Sequence, residues 1–243
     1  NPGGAGSQTA ALAFGGFIAG PPTSPTNATE EYDGSSWTAQ NTMPTAVRNP
    51  AGSGTQTAGL SSGGNAGPPG VTGVTEQYNG STWTAVSNLN SPVYSLASAA
   101  NGTTSHGITF GGASPAGTGL TQTEEWDGST WTISPASLAA GKWKLGGAGT
   151  ASAGLKFAGG PPPSGNVATE EYNSNINAIT QAAWAAGGTQ NTSRVYSGGS
   201  GPVNSALIIN GFTGSGLGGF NDAAETYNGT SWSNITNFPY NAV

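Results

Sequence analysis

Short apolar segments that alternate with small and polar residues run along the whole sequence and recur at a fixed distance. Four of them end in a Gly pair, at "AFGG" 13–16, "SSGG" 61–64, "TFGG" 109–112 and "FAGG" 157–160, with 48 residues from each pair to the next. A looser fifth copy, "IING" at 208–211, comes about three residues late. Self-similarity at such a period indicates a structural repeat.

A second pattern follows each Gly pair after a loop that is rich in Gly and Pro. Its five copies read "TEEYDGSSWT", "TEQYNGSTWT", "TEEWDGSTWT", "TEEYNSNINA" and "AETYNGTSWS". Four copies place Asp-Gly or Asn-Gly between an aromatic residue and a Trp, which is the strongest short-range signal of a β-hairpin. This pattern predicts two strands joined by a type I′ turn, with positive φ at both central residues.

A hairpin of small residues precedes each Gly pair, as in "NPAGSGTQTAGLSSGG" at 49–64. One repeat therefore supplies four antiparallel strands, which is typical of a β-propeller blade and not of a solenoid coil. We predict an all-β fold, a five-bladed β-propeller that forms a single domain over 1–243. The predicted blades cover approximately 1–48, 49–96, 97–144, 145–193 and 194–243.

Each predicted blade is continuous in sequence, so we expect the ring to close by side-chain packing between the first and last blades and not by strand exchange. The fourth copy lacks the tight turn. Its Trp184 aligns with Met43, Leu89 and Leu138 of other copies, which predicts that it fills the core at that position.

The scaffold of each blade is expected to depend on the Gly pair, the first Glu of the second pattern and the two aromatic residues. These signature residues are Gly15, Gly16, Glu30, Tyr32, Trp37, Gly63, Gly64, Glu76, Tyr78, Trp83, Gly111, Gly112, Glu124, Trp126, Trp131, Gly159, Gly160, Glu170, Tyr172, Glu225, Tyr227 and Trp232.

The composition narrows the classes of function. Gly numbers 42 and only 7% of residues are charged, against about 25% in an ordinary domain, but seven Trp, seven Tyr and seven Phe supply the apolar anchors of a folded protein. A net charge of −6 with five Lys and Arg argues against nucleic-acid binding. No apolar run of 18 residues predicts a membrane span, and without Cys there are no disulfides or thiolate metal sites.

The order of these elements resembles the kelch repeat. The matching residues are a Gly pair that ends one strand, a Glu-x-Tyr strand, a tight turn, a Trp strand and then "TMPTAVR" at 42–48, and the likeness covers nearly all of the chain. The Ala/Gly/Thr-rich form, with "GTQTAGLSSGG" leading into "TEQYNGSTWT", is similar to kelch-like arrays in structural and appendage proteins of tailed phages, especially those that infect marine cyanobacteria. The resemblance implies a propeller fold and a place in a virion.

Two departures from kelch-type proteins exclude functions. Intracellular kelch adaptors carry polar, often Arg-rich loops, and sialidase-type propellers need an Arg cluster, whereas this chain has only Arg48 and Arg194. Copper-radical oxidases of this fold need a Cys-Tyr crosslink and His ligands, whereas this chain has no Cys and one His.

The recurring carboxylates are the first candidates for chemistry. The first Glu of each copy lies two residues before the aromatic, so both share one face of a strand. We expect each Glu to accept hydrogen bonds within its own blade, the alternative being a ring that binds Ca²⁺. The second residue, which is Glu31, Gln77, Glu125, Glu171 or Thr226, points to the opposite face. A glycosidase pair must converge across one substrate, so we expect no enzymatic activity and no cofactor.

His106, in "TTSHGITF", is expected to be an exposed turn residue, since no partner motif accompanies it. The loops between the second and third strands vary most and should gather on one face, where binding usually evolves on a rigid scaffold. Their candidate binding residues are Phe17, Ile18, Pro21, Pro22, Pro68, Pro69, Pro161, Pro162, Phe212 and Phe220.

The sequence therefore predicts a non-enzymatic extracellular module, most consistent with a phage virion appendage (tail fibre, tail or capsid decoration). Its expected partners are other virion proteins or a host-surface glycan or protein, with homo-oligomer formation and a longer multidomain chain both open. The alternative is a secreted or surface carbohydrate-binding adhesin of a bacterium, and a glycan-active enzyme comes third.

Overall fold

The computed structural model describes residues 1–18, 24–67, 70–160, 167–174, 183–209, 211–212 and 222–237, with the backbone alone for 183–185. Five four-stranded antiparallel sheets stand in a ring and form a five-bladed β-propeller, so the predicted fold class is confirmed. The described residues contain no helix that is long and apolar enough to cross a membrane.

The strands follow in chain order, and each blade uses consecutive ones. Blade one contains β1 (Gly3–Ser7), β2 (Ala10–Phe14), β5 (Thr29–Tyr32) and β6 (Trp37–Gln40), and its upper loop carries β3 (Phe17–Ile18) and β4 (Ser24–Pro25). Blade two contains β7 (Ala51–Thr55), β8 (Ala58–Ser62), β9 (Thr75–Tyr78) and β10 (Trp83–Val86). Blade three contains β11 (Ala97–Ser98), β12 (Gly107–Phe110), β13 (Thr123–Trp126) and β14 (Trp131–Ile133). Blade four contains β15 (Gly146–Gly149), β16 (Ala153–Phe157), β17 (Glu170–Asn173) and β18 (Ala183–Ala186). Blade five contains β19 (Gly198–Ser200), β20 (Ala206–Ile209), β21 (Ala224–Tyr227) and β22 (Trp232–Ile235).

The antiparallel order of the strands gives the disc two different faces. The hairpin turns within a blade lie on one face, which we call the turn face. The connections between second and third strands and between successive blades lie on the other, which we call the mouth face. Isolated bridges such as Arg48 with Asn65 and Val195 with Phe212 join the two kinds of connection there.

The second hairpins of blades one, two, three and five have a different turn from the predicted one. Tyr32 pairs with Trp37, so four residues connect the strands, and Gly34 has positive φ whereas Asp33 does not. The Asp33 carboxylate instead accepts the backbone N–H groups of Ser35 and Ser36, both at 2.8 Å. These bonds lower the pKa of Asp33 to about 2. The type I′ prediction is wrong because the side chain of Asp supports a wider turn.

Blade four keeps its signature Trp, contrary to the sequence alignment. Trp184 is the cross-strand partner of Tyr172, as Trp37 is of Tyr32. The prediction that Trp184 takes the place of the buried Met43 and its equivalents is therefore wrong. A longer connection separates the aromatic residues in blade four, and register is decided by strand pairing and not by distance along the chain.

The Gly pair of blade four is also displaced. Phe157 holds the register position of Phe14 and Phe110, and the next residue is Ala158, with φ of 58°. Ala158 thus takes the left-handed position that Gly15 occupies in blade one with φ of 63°. Relative to the strand, Gly159 and Gly160 therefore lie one position later than Gly15 and Gly16 do.

In blades two, three and five the signature Trp bonds to the preceding blade. Its indole N–H donates to the hydroxyl of a Thr in the preceding blade. This Thr is the first residue of the third strand, or the residue directly before that strand in the case of Thr169. The pairs are Trp83–Thr29 at 2.9 Å, Trp131–Thr75 at 3.0 Å and Trp232–Thr169 at 3.1 Å. All three Trp side chains are 6–7% exposed. A buried hydrogen bond between side chains of this kind gives the junction a fixed register.

The Glu at the second position of the pattern also bonds across a junction. It accepts the hydroxyl of the Tyr in the next blade. The hydroxyl of Tyr78 donates to Glu31 at 2.9 Å, that of Tyr172 to Glu125 at 2.6 Å and that of Tyr227 to Glu171 at 2.5 Å. Burial and then the Glu31 carboxylate raise the pKa of Tyr78 to about 12. Each Tyr is therefore neutral and remains a donor at any physiological pH.

Variation at the second position follows the aromatic residue of the next blade. Gln77 replaces Glu in blade two, and blade three correspondingly carries Trp126 in place of Tyr. Gln77 Nε2 and Trp126 Nε1 both donate to the carbonyl oxygen of Thr104, at 2.9 and 2.8 Å. A carboxylate there would lack the tyrosine hydroxyl as a donor, so the amide is the matching choice.

Apolar side chains complete these junctions, and the described core consists of four clusters. In the cluster between blades one and two, Phe14 packs edge to face against Trp83, with ring centroids 5.0 Å apart. The junction of blades five and one is different. Blade five presents Ala224 and Thr226 where other blades have Thr and Glu or Gln, and Trp37 is 50% exposed.

This difference predicts unequal effects of the same substitution. Tyr172→Phe removes the donor to Glu125 and should lower the free energy of unfolding by about 1.5 kcal/mol. Tyr32→Phe in blade one faces Thr226 at the corresponding junction and should cost less than about 0.5 kcal/mol. Urea unfolding of both variants measures the difference, and equal losses would contradict the assigned role of the Tyr–Glu bond.

Candidate binding face

The mouth of the central channel is encircled by one residue from each blade, just before the innermost strand. These channel-mouth residues are Asn1, Asn49, Ser95, Lys144 and Tyr196. The last four are left-handed, with φ between 53 and 57°. The conformation costs a non-glycine residue about 1 kcal/mol or more, although less for Asn.

The left-handed backbone has a structural use at this position. The backbone N–H of each of the four left-handed residues donates to the carbonyl oxygen of the equivalent residue in the preceding blade. The bonds run from Asn49 to Asn1 at 2.9 Å, Ser95 to Asn49 at 3.0 Å, Lys144 to Ser95 at 2.8 Å and Tyr196 to Lys144 at 3.4 Å. Peptide groups thus join the blades around the mouth, and the side chains are left for other roles.

The channel below the mouth is narrow and uncharged. The five innermost strands line a cavity of about 350 Å³, and their residues are mainly Gly, Ala and Ser. A Cβ atom at Gly52 would collide with the carbonyl oxygen of Gly4, and one at Gly147 with that of Ser98. The small residues of the first hairpin therefore allow the inner strands to approach closely.

Positive charge is concentrated on the mouth face. Of the five Lys and Arg residues, Lys156 and Arg194 are buried and paired with Glu170 and Glu225. The other three, Arg48, Lys142 and Lys144, are partly exposed and all lie in connections between successive blades. An anionic or hydroxyl-rich partner would meet these cations only on this face.

Lys144 is held between two aromatic rings at the channel mouth. Its ammonium lies 4.4 Å from the ring centroids of both Trp143 and Tyr196. Tyr94 extends the cluster and meets Trp143 edge to face at 6.0 Å. Cation–π contacts of this geometry fix a flexible side chain, so this arrangement presents a cation and a half-exposed Tyr together.

Two hydroxyl groups beside the mouth have no hydrogen-bond partner among the described residues. They belong to Ser95 and Ser197, which are only 6% and 8% exposed and line the 270 Å³ vestibule at the channel mouth. Buried polar groups are nearly always satisfied in native structures, and exceptions mark places where water or a ligand supplies the partner. The vestibule therefore combines a cation, aromatic rings and available hydroxyl groups.

The predicted binding loops lie partly on this face. Phe17 and Ile18 are 42% and 58% exposed on the short ribbon β3–β4, and the Arg48 guanidinium lies 5.7 Å from the Phe17 ring centroid. Phe212 is half-buried and bridges to Val195. The other candidates fall outside the described residues, namely Pro21, Pro22, Pro68, Pro69, Pro161, Pro162 and Phe220.

Sequence reasoning missed the channel-mouth residues altogether. Asn49, Ser95, Lys144 and Tyr196 share no chemistry, so they gave no repeated letter to recognise. Their common feature is a backbone conformation, which side-chain patterns do not report. A count of positions from each innermost strand would have aligned them, but only after the strands were known.

Three of the five first Glu residues accept hydrogen bonds from the preceding blade, so the expectation that they are satisfied within their own blade alone is wrong for these three. Glu124 accepts the backbone N–H of Asn90 at 2.9 Å and Glu170 that of Ala139 at 2.8 Å, in each case from the preceding blade. Glu225 likewise accepts the Asn191 N–H at 2.8 Å. Among the described residues no three His, Asp or Glu side chains converge to hold a metal ion.

The strain at the mouth gives a stability prediction. Ser95→Gly removes the left-handed penalty and an unpartnered hydroxyl, so it should raise the free energy of unfolding by about 0.5 kcal/mol. The matched change Ser98→Gly removes a hydroxyl that donates to the Gly52 carbonyl at 2.6 Å, and should cost about 1.5 kcal/mol. Thermal unfolding of both variants tests the pair; a comparable loss in Ser95→Gly would show that no strain is stored there.

Comparison with known proteins supports the fold only. No protein-family model and no curated protein matches the sequence. The solved structure of YjhT is similar, with a TM-score of 0.74 over 98% of this chain and 84% of that one, at 12% sequence identity. At that identity the likeness shows a shared β-propeller architecture and carries no information on ligands or activity.

Proposed function

We propose that this chain is a non-enzymatic binding module that meets its partner with the mouth face. The observation that carries the proposal is the segregation of side chains. The three partly exposed cations and the Lys144 aromatic clamp lie on that face, whereas most of the signature carboxylates are engaged between blades. A rigid disc with one chemically distinct face is suited to recognition.

The arrangement favours binding over catalysis on physical grounds. A glycosidase pair needs two carboxylates that face one substrate. Glu31 and Glu125 are instead fixed by the hydroxyls of Tyr78 and Tyr172, and Glu124 by the loop of the preceding blade. The strongest available chemistry on the mouth face is a fixed cation beside aromatic rings and hydroxyl groups, which suits a glycan or a protein surface.

The proposed setting is a phage virion appendage of the kelch-like kind, with attachment to a host or decoration of the particle as its role. The support comes from the Gly pairs and the Glu-x-Tyr and Trp strands, repeated in an Ala/Gly/Thr-rich chain. A stiff module with few Lys and Arg residues and short turns suits exposure outside a cell.

The binding role predicts that mouth-face variants lose a ligand. On a glycan array, the wild-type protein should bind in a saturable manner, and both Arg48→Ala and replacement of the 17–28 loop should weaken that binding about tenfold. Ser129→Ala, on a turn of the opposite face, is the matched control and should have no effect. Array binding that survives both mouth-face changes would contradict the use of this face.

The virion setting predicts that the protein is present in assembled particles. Mass spectrometry of virions purified from a culture that expresses the gene should detect its peptides at a constant ratio to the capsid protein. Peptides found only in the cell-surface or secreted fraction would favour the bacterial adhesin instead. That result would leave the mouth-face proposal intact, because the two experiments measure different properties.

A further inference from the structure

A second cavity lies on the turn face, in the crevice between blades three and four. Its volume is about 660 Å³, larger than that of the channel or its vestibule. Cavities of 300–1,000 Å³ are the usual size for small-molecule sites. The first hairpin turns of both blades and the end of β17 form its rim.

The crevice is open because blade four has a short side chain at the position from which a long side chain of blade two reaches across its junction. In blade two, Gln56 reaches from the first hairpin turn onto blade one, where Nε2 donates to the Tyr32 carbonyl at 2.7 Å. The residue at the same place in the turn of blade four is Ala151, which packs against the apolar cluster of blades three and four but is too short to reach the polar groups across the gap. The corresponding Val203 of blade five packs against the apolar cluster of blades four and five.

The walls of the crevice carry polar groups held in fixed positions. Glu125 Oε1 accepts the Tyr172 hydroxyl at 2.6 Å, and Oε2 has no partner among the described residues. His106 is exposed at the rim, with Nδ1 3.2 Å from Ser105 Oγ. Ser152 lines the blade-four side, and Trp126 and Ile108 form the apolar floor. The sequence prediction of His106 as a turn residue agrees with this place.

The chemistry of this lining selects a ligand class. Among the described residues that line the crevice there is no Lys or Arg, and their one carboxylate, Glu125, repels anions. A carboxylate oxygen, an imidazole and several hydroxyls offer acceptors and donors at short range, beside an apolar floor. Vicinal hydroxyl groups on a ring with an apolar face match this combination. The volume accommodates one or two pyranose units.

We propose that the crevice between blades three and four binds a neutral sugar unit. Glu125 accepts sugar hydroxyls, His106 and Ser152 supply further hydrogen bonds, and the floor contacts the C–H face of the ring. The site lies on the opposite side of the disc from the mouth face. It therefore neither requires the proposed mouth-face function nor follows from it.

A Gln at position 151 would match Gln56 of blade two, which reaches across its own junction. Ala151→Gln should fill the crevice and weaken sugar binding at least about tenfold, whereas Ala151→Ser keeps it open and should bind as the wild type does. Glu125→Gln should also weaken binding. The probes are the methyl glycosides of glucose, galactose, mannose and N-acetylglucosamine, and lactose, with binding measured by saturation-transfer NMR and isothermal titration calorimetry.

The outcomes separate this proposal from the mouth-face function. Binding of at least one probe that is lost in Ala151→Gln and kept in both Ala151→Ser and Lys144→Ala supports the crevice. Failure of every probe to bind the wild-type protein, or binding that Ala151→Gln leaves unchanged, overturns it. Binding lost in Lys144→Ala alone assigns the sugar to the mouth face. A thermal unfolding curve for each variant confirms that the disc is folded.

Discussion

The structure depends on polar contacts that cross from one blade to the next. A four-stranded sheet satisfies its own backbone but leaves the Trp indole, the Tyr hydroxyl and the signature carboxylates half-buried at its flanks. Many of these groups find a partner on a neighbouring blade, such as Thr75 for Trp131 or Glu125 for Tyr172. Because an unpaired buried polar group costs free energy, each blade is stable mainly in the company of the next.

This dependence also explains which positions are free to carry function. Side chains between blades are constrained by a specific partner, as the change from Glu to Gln77 opposite Trp126 shows. At the channel mouth the bonds between blades are made by the backbone instead, through left-handed residues. The side chains of Lys144 and Tyr196 are therefore released from the scaffold. Chemical variety on the mouth face follows from that release.

The crevice on the turn face lies at a junction where a side-chain contact between blades is missing. Gln56 is a side chain that closes a junction, and its replacement by Ala151 leaves a space without disturbing any strand. Repetition makes such a departure visible, since the junction of blades one and two shows what a long side chain does at that position. The crevice is therefore a place where blade four differs from blade two.

The sequence by itself determined the repeat, the four strands of each blade and the five blades. These features depend on local pattern: alternation, Gly pairs and Asp-Gly or Asn-Gly turns. Only the tertiary structure decided the partner of each signature carboxylate, the register of Trp184 and the place of Ala158, because strand pairing and neighbouring blades set them. The channel mouth and the crevice belong to the same class. Each brings together residues from different blades, the channel mouth through backbone conformation and the crevice through a space between side chains. Neither feature can be recognised from the sequence alone.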